Sequence, residues 1–415
     1  MGEYDAVRAP TRITRQYLVI RQVAYPDIEP SGAHPSLAGP FHRLPTIVLP
    51  RWSPIDLRVA PCAGEAEFRM IVRAVLPAVD QREQKMTESE HDTATERWLS
   101  YREEIKVLDA TIRDGGLMND SHFDDKVVKG VYDACVTAGI DYMEIGYINS
   151  RSQFPTSEFG PWRHCREEDM RRIVGDNDTP LKLSAMSDAE KSDYETDILP
   201  RDQSVLDMIR VACYIHQIPL AMKMVQDAHD KGYETCCNIM AGSTIPEREL
   251  DEALEMLSET PVDAIYVVDS FGSLYSEQVE SLVEKHLVAL KDSGKEVGIH
   301  CHNNRQLAFA NTIQAIIKGA NYLDASFAGL GRGAGNCQME LLLGFLHNPK
   351  YHLRPVLDCI QEHIEPMREK LMWGFDYPYM MTGLLNEHPR SGMAFNASKD
   401  RGDIVKFYDE ITAEE

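Results

Sequence analysis

Between Val107 and Phe327 the chain alternates eight short apolar runs with longer stretches of helical period, and this alternation restricts the fold more than any other feature. The runs are Val107 to Ile112, Tyr142 to Tyr147, Leu181 to Met186, Met208 to Cys213, Glu234 to Met240, Ala264 to Asp269, Val297 to His302 and Tyr322 to Phe327. Their length and β-rich composition read as strands. Between them, Asp124 to Ala138, Ile218 to Lys231, Pro246 to Ser258, Ser276 to Ser293 and Arg305 to Gly319 carry the helical pattern, several closed by a glycine as helix ends prefer. Strands alternating with helices imply an α/β fold with a parallel sheet, and eight such units over roughly 240 residues make a (β/α)8 barrel, the TIM-barrel architecture. A doubly wound sheet is the alternative. It has no reason to stop at eight strands or to put polar residues at nearly every strand end.

The flanks read differently. Ten of the 22 prolines precede Met86, in a segment holding ten Arg and one Lys. Prolines recurring from Pro26 to Pro61 defeat both helix and strand, so residues 1–100 are expected to form a largely disordered Pro/Arg-rich extension. Tyr17 to Val23 is its one strand-like run and Glu65 to Leu76 its one helix-like run. Met86 opening the natural chain is one explanation of the extension; a targeting or docking arm is another. The barrel is expected over 101–348. Residues 349–415 then form a C-terminal helical extension, with a helix from Arg354 to Leu371, the aromatic segment Trp373 to Met381 and a charged helix at the end.

A formal net charge of -23 argues against nucleic acid or an anionic membrane surface, since both reward a basic footprint. No apolar stretch reaches the length of a membrane span, and the N-terminus shows no basic-then-apolar signal pattern. Nine cysteines, an odd number without framework spacing, look like reduced core residues, and the expected location is cytoplasmic. A small-molecule substrate fits these limits best.

Active sites of such barrels form at the C-terminal ends of the strands. Here those ends carry Arg113 and Asp114, Glu144, Ser184, Asn238, Asp269, and then His300 and His302. In a strand, residues two apart share a face, so the two imidazoles point the same way, half of a metal site. Alone they could be polar residues at a strand terminus; with Asp114 at another strand end they make one carboxylate and two imidazoles. Asn336 can add an amide oxygen. Mixed oxygen and nitrogen donors with open positions suit one divalent ion, Mn2+, Mg2+, Co2+ or Zn2+. Such an ion could chelate a 2-oxo acid and stabilise the charge of an enolate, with Arg113 a fixed cation beside it. Arg113 could equally pair with Glu144 or Asp109. The loop Gly329-Leu-Gly331-Arg-Gly333-Ala-Gly335-Asn336 lets backbone approach a ligand, although alone it could be only a tight turn.

Three motifs in this order, Asp109-Ala-Thr111-Ile-Arg113-Asp114-Gly115, His300-Cys-His302-Asn303 and the glycine loop ending at Asn336, resemble those of the metal-dependent C–C lyase and synthase superfamily. That group includes 3-hydroxy-3-methylglutaryl-CoA lyase, 2-isopropylmalate and homocitrate synthases and 4-hydroxy-2-oxovalerate aldolase. The likeness spans about Val107 to Leu346. It implies Asp114, His300 and His302 as ligands, Asn336 as a further one, Arg113 as enolate stabiliser and Glu144 as the acidic residue of the second strand. Asp109, Thr111, Ser184, Asn238, Gly331, Gly333 and Tyr377 are the candidate substrate contacts. The synthases resemble one another in a Glu-Gln after Arg-Asp-Gly, where this chain has Gly116-Leu117, and only about 70 residues follow the barrel. The aldolases are the nearer likeness, by the glycine loop and the aromatic C-terminal segment. They carry a catalytic His where Leu117 stands, which leaves the base to His122, Tyr147, Tyr377 or Tyr379. The expectation is a divalent-metal aldolase or lyase, with pyruvate as the model 2-oxo acid, working through a metal-stabilised enolate. Alternatives are a Claisen-type acyl-CoA acyltransferase and an inactive barrel serving as a binding subunit. The resemblance also implies a homo-oligomer and admits a dehydrogenase partner.

Overall fold

The computed structural model describes residues 102–413, together with the strands Tyr17–Leu18 and Leu49–Pro50. Those two strands pair antiparallel. The rest of the expected extension, including the helix-like run Glu65 to Leu76, lies outside the described residues. By its internal contacts the chain divides into two units, Met1–Asp92 and Thr93–Glu415.

The second unit is built on a closed barrel of eight parallel strands. In chain order they are β1 (Lys106–Asp109), β2 (Tyr142–Tyr147), β3 (Lys182–Asp188), β4 (Met208–Cys213), β5 (Glu234–Ile239), β6 (Ala264–Asp269), β7 (Glu296–Cys301) and β8 (Tyr322–Ala325). Each pairs with its sequence neighbours, and β8 closes on β1 with Asp324 opposite Leu108. The strands bury both faces, as a parallel sheet under helices must. Outward residues such as Val107, Leu183, Ile209, Ile265 and Ile299 pack in one large core with the helices. Inward residues Leu108, Tyr142, Met208, Cys236, Ala264, Tyr266 and Tyr322 fill the bore, which is a packed core rather than a pore. Helices Asp125–Ala138 and Ala308–Lys318 end at Gly139 and Gly319, both with positive φ.

Two local departures position the site. The first strand is expected through Ile112 but stops at Asp109, and Thr111–Gly115 winds into one helical turn. The cause is local: Asp109 accepts hydrogen bonds from the backbone N–H and hydroxyl of Thr111, which folds the chain away from the sheet. On β2 the register slips between Glu144 and Gly146, so Glu144 and Tyr147, three residues apart, stand opposite Ser184 and Met186, two apart. A bulge of this kind lets both side chains face the bore, which strict alternation forbids.

Beyond the barrel, the helix expected from Arg354 to Leu371 is α-helical only over Leu353–Cys359, then loosens to a π turn at Ile360–Ile364 and tightens to a 3-10 turn at Glu365–Glu369. Pro366 has no N–H to continue the ladder. Helices Tyr377–Leu384, Arg390–Asn396 and Ile404–Thr412 follow. No helix among the described residues is long and apolar enough to cross a membrane, and the eight cysteines described are free and buried.

Candidate metal centre

The helical turn after β1 lifts Arg113 and Asp114 into the barrel mouth, where the guanidinium folds back so that Nη1 donates to Asp114 Oδ1 at 2.5 Å. His300 comes from β7. His302 lies just past its end, in an isolated bridge with Asn336 that keeps the chain extended and both imidazoles on one side. Their rings stand nearly perpendicular, centroids 5.1 Å apart. One ligating atom from each of Asp114, His300 and His302 lies within 4.8 Å of the others, and all three residues are buried.

What these atoms lack is as informative as what they touch. His300 Nε2, His302 Nδ1 and both amide atoms of Asn336 have no hydrogen-bond partner within the chain. Buried polar atoms are nearly always satisfied, so several orphans converging on one point call for a ligand. Second contacts prepare the donors. His300 Nδ1 lies 3.0 Å from Asp324 Oδ2, which holds the proton on Nδ1 and leaves the Nε2 lone pair free. Burial pushes the pKa of His302 well below the ordinary range, so it is neutral, as a metal ligand must be. Burial also acts to raise the Asp114 carboxyl, but the Arg113 guanidinium outweighs it and holds the group far below its usual value, ionised. The donor set fits a divalent ion.

Gly331 belongs to the site by what it lacks. A Cβ there would fall 2.5 Å from both Asp114 Oδ2 and Asn336 Nδ2. Gly331→Ala is therefore expected to weaken Mn2+ binding roughly 10- to 100-fold, on the scale seen when groups supporting metal ligands are disturbed, with little change in melting temperature. Calorimetric titration of the chelated protein measures it; unchanged affinity would remove Gly331 from the centre.

A buried chain of ion pairs joins two of the ligands. Arg113 Nε donates to Glu144 Oε2 at 2.6 Å, Arg210 Nη1 to the same oxygen at 2.9 Å, and Arg210 Nη2 to Asp324 Oδ2 at 2.6 Å. Asp324 in turn holds His300. The Arg113 pair with Glu144 anticipated from sequence thus exists alongside its pair with Asp114. Arg210 and Asp324, both fully buried, are new: a lone Arg inside Met-Ile-Arg-Val-Ala-Cys was the available signal. The Arg210 guanidinium also lies 4.3 Å from the Tyr266 ring centroid.

The other candidates divide. Ser184 sits in register with Glu144 and Asn238 with Ala212, both buried, with Ser184 Oγ and Asn238 Oδ1 unpartnered. A Cβ at Gly333 would meet Pro389 at 3.3 Å and the Tyr379 ring at 3.6 Å. Asp109 and Thr111 are occupied with each other and with the Phe327 N–H, which donates to Thr111 Oγ1 at 2.8 Å, so they brace β1 and β8. Burial raises the Asp109 pKa to about 7. His122 is exposed on a loop, its Nε2 3.0 Å from the Glu158 carbonyl. Tyr377 is about half exposed against Phe375, and the buried Tyr379 turns its hydroxyl to Asn396 while its carbonyl accepts from Asn304. Both tyrosines lie on the helix Tyr377–Leu384. Among the proposed bases Tyr147 lies beside Arg113, its ring centroid 6.0 Å from the guanidinium carbon. Burial, opposed by Arg113, pushes its hydroxyl up to about 12. Leu117 packs instead into an apolar patch with Tyr147, Met186, Ala212 and Met240.

Known proteins resemble this chain in sequence and fold. A model of the HMGL-like family matches residues 213–362. Over 260 residues the chain is 34% identical to an oxaloacetate decarboxylase of Mycobacterium tuberculosis, covering 62% of this chain and 74% of the relative. It is 26% identical over 278 residues to a 4-hydroxy-2-oxovalerate aldolase of Bacillus thuringiensis, covering 63% and 76%. Among solved structures, the N-terminal domain of a Bacteroides vulgatus protein described as an aldolase superposes with a TM-score of 0.61 at 28% identity, over 73% of this chain and 100% of that one. An HMG-CoA lyase from Bacillus shares the fold at a TM-score of 0.53 and 17% identity, over 65% and 96%. An identity of 34% held across 74% of a relative's length leaves one conclusion, that the chain belongs to the HMGL-like family.

Proposed function

We propose that the protein is a divalent-metal-dependent carbon–carbon lyase acting on a 2-oxo acid through an enolate. The observation that carries this reading is the convergence of orphaned donors on Asp114, His300 and His302 beside the Arg113 guanidinium. When bound, the ion would act as Lewis acid on the 2-oxo carbonyl. Arg113 uses Nε and Nη1 on Glu144 and Asp114, and its remaining donors serve the oxygen on which charge develops. Ser184 and Asn238 offer unpartnered polar atoms to the substrate. The complete donor set counts against an inactive barrel.

Aldol cleavage of a 4-hydroxy-2-oxo acid needs a base for the 4-hydroxyl, and Tyr147 is the group in place. A second reading is favoured by the apolar patch around Leu117. Loss of CO2 from a 3-carboxy-2-oxo acid needs no base: the bond to the carboxylate breaks, its electron pair becomes the enolate, and a proton then returns to carbon. Apolar surroundings favour a step that disperses charge. The name of the Mycobacterium tuberculosis relative adds weight to it.

The test is exchange of pyruvate methyl protons with deuterated solvent, followed by NMR with Mn2+ removed before measurement, beside release of pyruvate from 4-hydroxy-2-oxo acids and of CO2 from 3-carboxy-2-oxo acids. Exchange with one of the two cleavages is expected. Metal-loaded protein that gives neither exchange nor cleavage would sink the 2-oxo acid reading and bring forward an acyl-CoA condensation, which thiol release would reveal.

A further inference from the structure

The arginines of the mouth differ in one respect. Arg113 and Arg210 each grip two carboxylates. Arg332, in the glycine loop, has no carboxylate within ion-pair distance among the described residues. Its backbone N–H donates to Asp114 Oδ2 at 3.2 Å, which sets it at the edge of the metal centre. Its guanidinium is held by two neutral acceptors, the Ser270 carbonyl at 2.7 Å from Nη2 and His388 Nε2 at 3.0 Å from Nη1. An arginine has only hydrogens to offer, so Nε2 accepts and the neutral ring carries its proton on Nδ1, which lies 3.1 Å from the Arg390 backbone nitrogen. Burial, then Arg332 and Arg390, lowers the His388 pKa to about 3, so it adds no charge of its own. Of five N–H donors, two are used and Nε, buried, has no partner. Asp114 is among the groups near enough to act on this cation.

A partly buried cation held by dipoles alone is costly for folding and is oriented rather than neutralised. Arg163, also buried without a carboxylate partner among the described residues, has another explanation: its guanidinium lies over the rings of Tyr147, Phe154 and Phe159 at 4.6, 4.9 and 5.3 Å. No ring is found over Arg332 among the described residues.

We infer that Arg332 binds a further carboxylate of the substrate, one that is not lost as CO2, so that the substrate class is a 2-oxo dicarboxylate in aldol cleavage and a 2-oxo tricarboxylate if CO2 is the departing group. This rests on the reading that the centre takes a 2-oxo acid. The departing group is not the one held, because an arginine stabilises a carboxylate's charge before the step and would oppose its loss as CO2.

The experiment uses the full chain loaded with Mn2+ and calorimetric titration, with 2-oxoglutarate against 2-oxopentanoate and 2-oxoadipate against 2-oxohexanoate. Each pair shares the chelating end and differs in the terminal carboxylate. The expected result is at least tenfold tighter binding of the dicarboxylate in one pair, abolished in Arg332→Gln while the monocarboxylate affinity stays within about twofold. Arg332→Lys, which keeps the charge and loses the fork, should retain part of the preference and serves if the glutamine variant does not fold. Equal affinities in the unmodified protein, or a preference that survives Arg332→Gln, would overturn the inference. Failure of all four acids and of oxalate to bind would instead bring down the underlying reading, and the inference with it.

Discussion

Replacing Arg210 by Met is expected to lower the unfolding free energy of the chelated protein by about 3–5 kcal/mol, the usual cost of removing one partner from a buried ion pair. Arg210 stands between Glu144 and Asp324, all three fully buried. Without it Glu144 keeps only Arg113, and Asp324 keeps only His300. Two carboxylates then remain in the bore with less positive charge than ionisation requires. The double variant Arg210→Met/Asp324→Leu should recover much of the loss, because no orphaned charge is left at that end. Denaturant midpoints measure both, and a single-variant loss under about 1 kcal/mol would show that the chain of pairs is not a structural support. Metal affinity should fall as well, since Asp324 orients His300.

Arg113→Lys is expected to lower kcat about 10²-fold or more with little change in KM. The guanidinium is fixed by Glu144 on one side and Asp114 on the other, so its free donors are aimed before substrate arrives. Lysine keeps the charge but cannot hold two carboxylates and present a third donor in one plane. The interaction lost is strongest where the enolate carries its charge, hence the effect on kcat. Steady-state pyruvate release with Mn2+ is the measurement. A kcat within fivefold of the unmodified protein would remove Arg113 from enolate stabilisation.

The strands were legible because both faces of a parallel barrel are apolar. Met208–Cys213 and Ala264–Asp269 have the bounds expected from composition alone. His300 and His302 were legible for a different reason: period two persists past the end of β7 because the bridge to Asn336 keeps the chain extended. The helical turn bearing Asp114 was not, since it is imposed by side-chain bonds between Asp109 and Thr111 that compete with the strand. Nor was the pairing of Arg210 with Asp324, 114 residues apart in sequence, which depends on where closure sets β8 relative to β4. The tyrosines of the C-terminal segment were found, but an aromatic segment does not disclose which way a helix turns it.

The C-terminal helices fasten to the barrel unevenly. Asn386 bonds to Ser243 and Ser273 after β5 and β6, Asn304 and Arg305 after β7 bond to Tyr379 and Gly383, and Arg332 and Ala328 after β8 bond to His388 and Trp373. Among the described residues no hydrogen bond of this kind reaches the loops after β1 to β4. The roof is thus a half-roof, resting on four walls of eight. Beneath it lie the polar groups, His302, Asn336 and Arg332; beside it lies the apolar patch of Leu117, Tyr147 and Met186. A substrate arriving from the unroofed side would carry both charged ends beneath the roof, one to the metal ligands and one to Arg332, and leave the carbon chain between them beside the apolar patch. Selection would then be strict for the two ends and permissive for what the chain between them bears.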